Sequence, residues 1–432
     1  MQTAQRVFES IISIGPVIII PFLLLILGLI AGKRPLRTLL HSIFVLLGLI
    51  LISLVFTIFI NFFEPLINTI VMQSGRNFQV IDMGMALSEN IAFDAPMIIE
   101  TILAIIGLNV FMLLLRLTRT INIDIWNFWI FLLIGSVIYA LTNIRWMGIL
   151  ISLIIAAITL IFSDIYAPHI SHYYGIKGIS ITQSQTISLA PIPHIINIVL
   201  NKIPKIKKIH VFYEEILYKL GFFAEPMAMG FILGFLMGIF TRYRTIISNP
   251  GSGLLYSITT GLRLAVIMIV MPRAFNLLMK GLVPILDDIG SFIQRRITKK
   301  QLYIGLDPIM LAGHPAVIGL SVLMVPLTVY IATILPGDTI LPGSDLIFIP
   351  FFIIWAVAVS KGDIIRSIIS AVILIPIILW VATDMADIYT TIILNNNFEI
   401  TETFSKASSL GGSNVLLWIL LQILRPILNL FA

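Results

Sequence analysis

Eleven apolar runs, each near the ~20 residues a helix needs to cross a lipid bilayer, set what this chain can fold into. They lie at 11–31, 38–60, 97–115, 123–141, 147–166, 226–241, 253–275, 317–335, 345–360, 364–383 and 412–431. A hydrocarbon interior offers no water to backbone N–H and C=O groups, so runs of this length read as helices. The expected fold class is an all-α polytopic membrane protein. Two other segments, 80–96 and 303–316, are too polar or too short to span and read as re-entrant hairpins.

The rest of the composition removes function classes. Of 432 residues, 59% are hydrophobic and 11% charged, against roughly 25% charge in a soluble domain. Cysteine is absent, which excludes a disulfide framework, a thiolate nucleophile and a Cys-based metal site. The net charge of +6 falls mostly in connecting segments. That pattern marks topology and not nucleic-acid binding. Asp164, His169 and His172 lack a fourth ligand, and no phosphate loop or serine-hydrolase elbow is present. No cofactor and no metal are expected. Arg6 is the lone early basic residue and no small-residue cleavage site follows, so no cleavable signal peptide is expected.

Basic residues orient the chain. Lys33, Arg34, Arg37, Arg116, Arg119, Lys202, Lys205, Lys207, Lys208, Arg295, Arg296, Lys299, Lys300, Lys361 and Arg366 all follow odd-numbered spans. That side is expected to be cytoplasmic, with the N-terminus outside and the C-terminus inside a cell membrane. Arg242 and Arg244 break the pattern. Trp126, Trp129 and Trp146 near span ends read as interface anchors. The stretch 191–220 alternates Ile195, Ile196, Ile198, Val199 and Ile203 with lysines, which suits a helix lying along the cytoplasmic interface or an ordinary solvated linker helix.

The two halves echo each other. Gly15-Pro16 and Leu27-Gly28 resemble Glu225-Pro226 and Met237-Gly238; Leu39 to Ile43 resembles Leu254 to Ile258; Glu64-Pro65 resembles Val283-Pro284. Asp82-Met83-Gly84 falls where Asp307-Pro308 falls, and Asp124 where Asp345 falls. The offset stays at ~210–225 residues, as an internal repeat requires. Five spans per copy invert the second copy. The predicted organisation is a first repeat at 1–170, a cytoplasmic linker at 171–222, a second repeat at 223–384, and an external loop with one further span at 385–432. Inverted repeats put substrate at the midplane, between broken helices.

Several clusters can carry chemistry. Asp307 and His314 sit on a broken apolar segment, where ionisable groups are costly and functional by default; Asp307 before Pro308 also suits a plain helix cap. The repeat mate holds Asp82, Ser88 and Glu89. Thr182-Gln183-Ser184-Gln185-Thr186 is an uncharged string of donors and acceptors suited to hydroxyl-rich ligands. Glu225 heads a span, where a carboxylate also favours the helix N-terminus. Gly234 and Gly238 read as helix packing, and Asp124 and Asn127 as structural.

The strings LTRTINIDIWNFW (117–129), GFFAEPMAMGFILGFLMGI (221–239), YIGLDPIMLAGHPAV (303–317) and LPGDTILPGSDL (335–346) resemble the galactitol-type membrane component, subunit IIC, of bacterial sugar phosphotransferase systems, related to the ascorbate-type transporters. The likeness runs from about residue 10 to 383. It implies eleven spans, inverted repeats, two re-entrant hairpins, a homodimer, and an elevator-like movement that carries a polyol or related sugar inward. It implies that the chain is a transport subunit and not an enzyme: a cytoplasmic subunit IIB, fed by IIA, phosphorylates the sugar. Histidine positions of the galactitol pattern read Ile130, Tyr139 and Gln183 here. On this reading Asp307, His314, Gln183, Gln185, Ser88, Glu89, Asp82 and Glu225 bind substrate. Asp307 orients the hydroxyl to be phosphorylated and His314 supports it. Two other classes stay open: an uncoupled or proton-coupled secondary carrier using Glu89 or Glu225, and an intramembrane enzyme built on Asp307 and His314, which lacks a nucleophile.

Overall fold

The computed structural model describes residues 16–31, 34–93, 96–124, 127–212, 215, 221–296, 302–395 and 404–428. Gly15, Lys33, Trp126, Lys299 and Lys300, and part of the loop expected to be external, lie outside the described residues. Each of the eleven apolar runs overlaps a helix. Among the described residues five helices are long and apolar enough to cross a membrane: Pro35–Ser74, Arg145–Tyr174, Pro250–Phe292 within Pro250–Arg296, Pro315–Ile334 and Ile364–Asn395. A sixth crossing is possible if the pair Leu87–Phe93 and Ile98–Leu114, bent by 92°, counts as one. Val17–Ile30, Phe128–Thr142, Met227–Thr241, Ser344–Val359 and Val415–Leu424 are apolar but shorter. Pro35, Pro226 and Pro315 open their helices, where the missing N–H costs nothing. Large aliphatic side chains stand outward on these helices, among them Phe22, Leu54, Leu103, Leu236 and Ile373. That is the pattern of a surface solvated by lipid.

Helices Pro16–Ile30, Pro35–Ser74, Pro226–Thr241 and Pro250–Arg296 pack on one another. Glycines set the approach. A Cβ at Gly48 would sit 2.6 Å from the Leu278 backbone, and one at Gly281 would strike the His41 carbonyl and lie 2.7 Å from the Val45 amide. Gly234 and Gly238 meet Thr260, Gly261 and Ser257 in the same way, so the small-residue spacing does mark close helix packing. The other helices surround an aromatic and aliphatic core holding Phe128, Trp129, Phe131, Phe352, Trp355 and Tyr389, all fully buried. Trp129 is therefore a core residue and not an interface anchor; Trp146 is 64% exposed. Arg366 is also inside, bonded to the Asn201 side chain at 2.8 Å and 3.5 Å from Asp363, so its charge is no marker of a solvated loop.

The all-α expectation holds, with one addition. Among the described residues six short strands form two three-stranded parallel sheets: β1 (Val80–Asp82), β2 (Thr120–Asn122), β3 (Ile179–Ile181), β4 (Tyr303–Leu306), β5 (Ile340–Leu341) and β6 (Lys406–Ser408). One sheet runs β5-β1-β6, with Val80 opposite Ile340 and Lys406. The other runs β2-β4-β3, with Ile304 opposite Ile121 and Ile179. In each sheet the central strand comes from one half of the sequence and both flanking strands from the other. Strands of two to four residues are too short to show a period in sequence, and parallel pairing at such separation leaves no hairpin signal. Gly305 lets β4 sit between its neighbours, because a Cβ there would meet the Thr182 hydroxyl and the Asn122 backbone. The segment expected as a cytoplasmic linker thus contributes β3 and a buried turn to the interior. Further on, helix Pro191–Lys202 exposes Ile195, Ile198 and Val199 and buries Asn197 and Leu200.

Arg76, just past the Pro35 helix, donates to the Thr333 carbonyl at 2.8 Å, to Leu335 O at 2.9 Å and to Asp338 O. It thereby fills the carbonyls that end the Pro315 helix. Asp338, in the turn beyond, accepts from Thr383 Oγ1 at 2.7 Å through Oδ1, while Oδ2 is buried without a partner among the described residues. Burial pushes its carboxyl up from 3.8 to about 6.

Two outcomes are expected. Gly281→Leu forces the Pro35 and Pro250 helices apart and costs about 1–3 kcal/mol or more, read as a lower melting temperature in detergent. Asp338 is easier to protonate folded than unfolded, so its ionisation opposes folding above the unfolded value, and the penalty grows as pH rises from about 4 to about 6. Asp338→Asn should melt higher than the parent at pH 7.5, with the gap closing toward pH 4.

Candidate functional site

Each central strand ends in an aspartate. Asp82 closes β1 and the chain turns at Gly84, whose φ of 74° suits glycine. The Asp82 carboxylate is filled by backbone donors: Gly84 N at 3.2 Å and Leu410 N at 3.4 Å on Oδ1, Gly343 N at 3.0 Å and Asp345 N at 2.9 Å on Oδ2. Asp345 lies beside it and accepts on Oδ2 from Ser409 Oγ at 2.6 Å and Gly411 N at 2.7 Å. Three of the four donors to Asp82 come from the far half of the sequence.

Asp307, directly after β4, has the corresponding position. Its Oδ1 accepts from Ile309 N at 2.7 Å, which starts the short helix Ile309–Ala312. Its Oδ2 accepts from Asn127 Nδ2 at 2.6 Å, and the same amide nitrogen donates to Asp124 Oδ2 at 2.6 Å. Gln183 Nε2 donates to Asn127 Oδ1 at 3.2 Å, and Thr186 Oγ1 donates to Gln183 Oε1. Asn122 holds the segment in place, accepting from Asp124 N at 3.0 Å and Thr182 Oγ1 at 2.9 Å. Asp124 Oδ1 is buried with no partner among the described residues. A cavity of about 10 Å³ adjoins the two carboxyls, lined by Ile20, Leu23, Ile123, Asp124, Leu306 and Asp307.

The turn after β3 ties the two networks together. Gln183 reaches the Asp307 side. Two residues on, Gln185 Nε2 donates to Ser413 O at 3.0 Å and Leu410 O at 3.3 Å. Ser184 Oγ accepts from Asn414 Nδ2 at 3.0 Å, and Tyr389 OH donates to Gly412 O at 2.8 Å. Ser88 is fully buried against Gly412, its hydroxyl without a partner among the described residues, as is Gln185 Oε1. Asp307, Gln183, Gln185, Asp82 and Ser88 therefore converge on two linked networks.

The remaining candidates stand apart. His314 caps the Pro315 helix, its Nδ1 accepting from Ala316 N at 3.3 Å, with its ring among Tyr173, Tyr174 and Phe275 at 5.3, 5.0 and 5.5 Å between centroids. Asp307 is not among its hydrogen-bond or ring partners in the described residues. Glu225 is exposed at the start of the Pro226 helix. Glu89 is partly buried, with Oε1 unpartnered among the described residues. Sequence reading took Asn127, which bridges both carboxyls, as structural, named Asp345 only as a repeat position, and did not single out the string Ser408 to Asn414. The signals available were the NIDIWNFW and SSLGGSN strings, polar runs too short to be loops between spans.

Comparison with known proteins identifies the family. Residues 10–403 match the family model described as the sugar-specific permease component of the PTS system. The galactitol-specific EIIC component of the PTS from Escherichia coli (strain K12) is 30% identical over 422 residues, covering 98% of this chain and 91% of the relative; that of Escherichia coli O157:H7 aligns equally. A permease IIC component of the K12 strain is 30% identical over 411 residues, covering 95% of this chain and 92% of the relative. The chain is a bacterial membrane protein and belongs to the family of PTS sugar-specific permease components of galactitol type, which are transport subunits.

Proposed function

We propose that this chain is the IIC permease that carries a polyol or related sugar inward, coupled to phosphorylation by a cytoplasmic IIB subunit served by IIA. The observation that carries this reading is the Thr182–Thr186 turn, whose side-chain amides reach both aspartate networks. Side-chain amides, hydroxyls and carboxylates at one place match the alternating donors and acceptors of a polyol. Asp307 takes substrate hydroxyls and polarises the one to be phosphorylated. Gln183 occupies the position of the galactitol pattern's histidine, and Ser88 and Gln185 supply further partners. Asp82 is filled by backbone donors in the present arrangement and holds the tip of the 80–96 hairpin in place. His314 and Glu225 serve at helix starts.

The interleaved sheets support two inverted repeats, each followed by one further strand, β3 or β6, with the two hairpin tips entering the membrane from opposite sides. The strand-bearing body slides against the four glycine-packed helices in an elevator movement, within a homodimer whose N-termini face outward and C-termini the cytoplasm. Eleven spans follow if the shorter apolar helices cross with the long ones. The unpartnered Glu89 Oε1 favours a second reading, a carrier that moves substrate with a proton and without phosphorylation.

Uptake in bacteria separates the two. Cells lacking the general phosphotransferase enzymes should lose accumulation of the substrate; retained uptake that collapses with the proton gradient would support the second reading. Asp307→Asn should lower uptake by about tenfold or more, the loss expected for a hydrogen bond to a charged acceptor.

A further inference from the structure

Both aspartate pairs have three of their four oxygens filled by donors, but only Asp124 Oδ1 is left buried without a partner among the described residues. In the Asp82–Asp345 pair, backbone and serine donors occupy three of the four oxygens, and Asp82 is filled entirely by backbone N–H groups. In the Asp307–Asp124 pair, both Asp307 oxygens and Asp124 Oδ2 are occupied, yet Asp124 Oδ1 has no donor among the described residues although the side chain is only 4% exposed. A buried carboxylate oxygen without a donor is costly. It borders the cavity of about 10 Å³, room for one water-sized group.

The wall of that cavity names its guest. Besides the two carboxyls it consists of Ile20, Leu23, Ile123 and Leu306. A bare cation would need about six oxygen ligands, and four aliphatic side chains deny it most of them. The space holds a single hydroxyl, its proton on Asp124 Oδ1, and the carbon that bears it lies against the aliphatics at the cavity mouth. Two of those aliphatics, Ile20 and Leu23, belong to the Pro16–Ile30 helix, which packs with the four-helix group, while the carboxyls follow β2 and β4. The site therefore spans the seam between the two packing groups.

We infer that Asp124 Oδ1 is the acceptor for one substrate hydroxyl, closed over by Ile20 and Leu23. This rests on the polyol-permease reading above and assigns a contact to a residue that sequence reading left as structural. Asp307, with both oxygens engaged, fixes Asp124 through the shared Asn127 amide and reaches substrate only when that amide moves.

The test uses the purified full chain in detergent, with galactitol, D-mannitol, D-glucitol and D-tagatose as probes and thermal stabilisation as readout. Parent protein should be stabilised by at least one probe. Asp124→Asn should melt near the parent temperature without probe, since the orphaned oxygen adds no native bond, but should bind that probe about tenfold to a hundredfold more weakly. Unchanged affinity in Asp124→Asn overturns the inference and leaves the permease reading standing. No stabilisation of the parent by any probe brings down the polyol reading, and this inference with it. If Asp124→Asn does not fold, Ile20→Phe decides: it fills the cavity with Asp124 intact, so lost binding supports the assignment and full binding overturns it.

Discussion

A carboxylate at the end of each central strand takes at least one donor from the opposite half of the chain, and the interior is built around that exchange. Short parallel strands leave backbone N–H groups at their ends with no ladder partner. Asp82 collects four such groups, three of them from the segments at Gly343, Asp345 and Leu410. Asp307 takes one from its own turn and one from Asn127. These bonds hold irregular backbone in a medium that supplies no water to replace them. They also fix where the helices after each turn begin, and so where the turn residues point.

Much of this was legible in the sequence because membrane helices declare themselves by length and apolarity. The eleven runs, the glycine spacing at Gly234 and Gly238, and the cost of placing Asp307 in an apolar stretch are local signals. The strands were not legible. Their two to four residues show no period, and their partners lie up to 326 positions away, as with Val80 and Lys406. The site was half legible for the same reason. Asp307 and Gln183 stood out by residue type, while Asn127 matters only because folding brings it between two carboxyls. His314 shows the opposite failure: proximity in sequence to Asp307 suggested a pair, but the turn of chain after Gly313 sends the imidazole among aromatic rings.

The division into two packing groups follows from different contact chemistry. The Pro16, Pro35, Pro226 and Pro250 helices approach through glycines and aliphatics, with few directional bonds to specify one register. The strand-bearing group is pinned by directional bonds to buried serines, asparagines and aspartates, each expensive to break. A polar interior of this kind resists deformation. Ile20 and Leu23 face the aspartates across the seam between the two groups, which is where the proposal above puts the ligand.

The interleaving has a consequence for biosynthesis. β1 leaves the ribosome long before Ile340 and Lys406 exist, so Asp82 and its strand emerge with neither neighbour made. The early hairpin must wait, unpaired, until nearly the whole polypeptide has been delivered, sheltered meanwhile by the insertion machinery or by provisional contacts. Truncation before about residue 408 removes β6 outright, so a nascent chain cut short there is a natural target for membrane proteases.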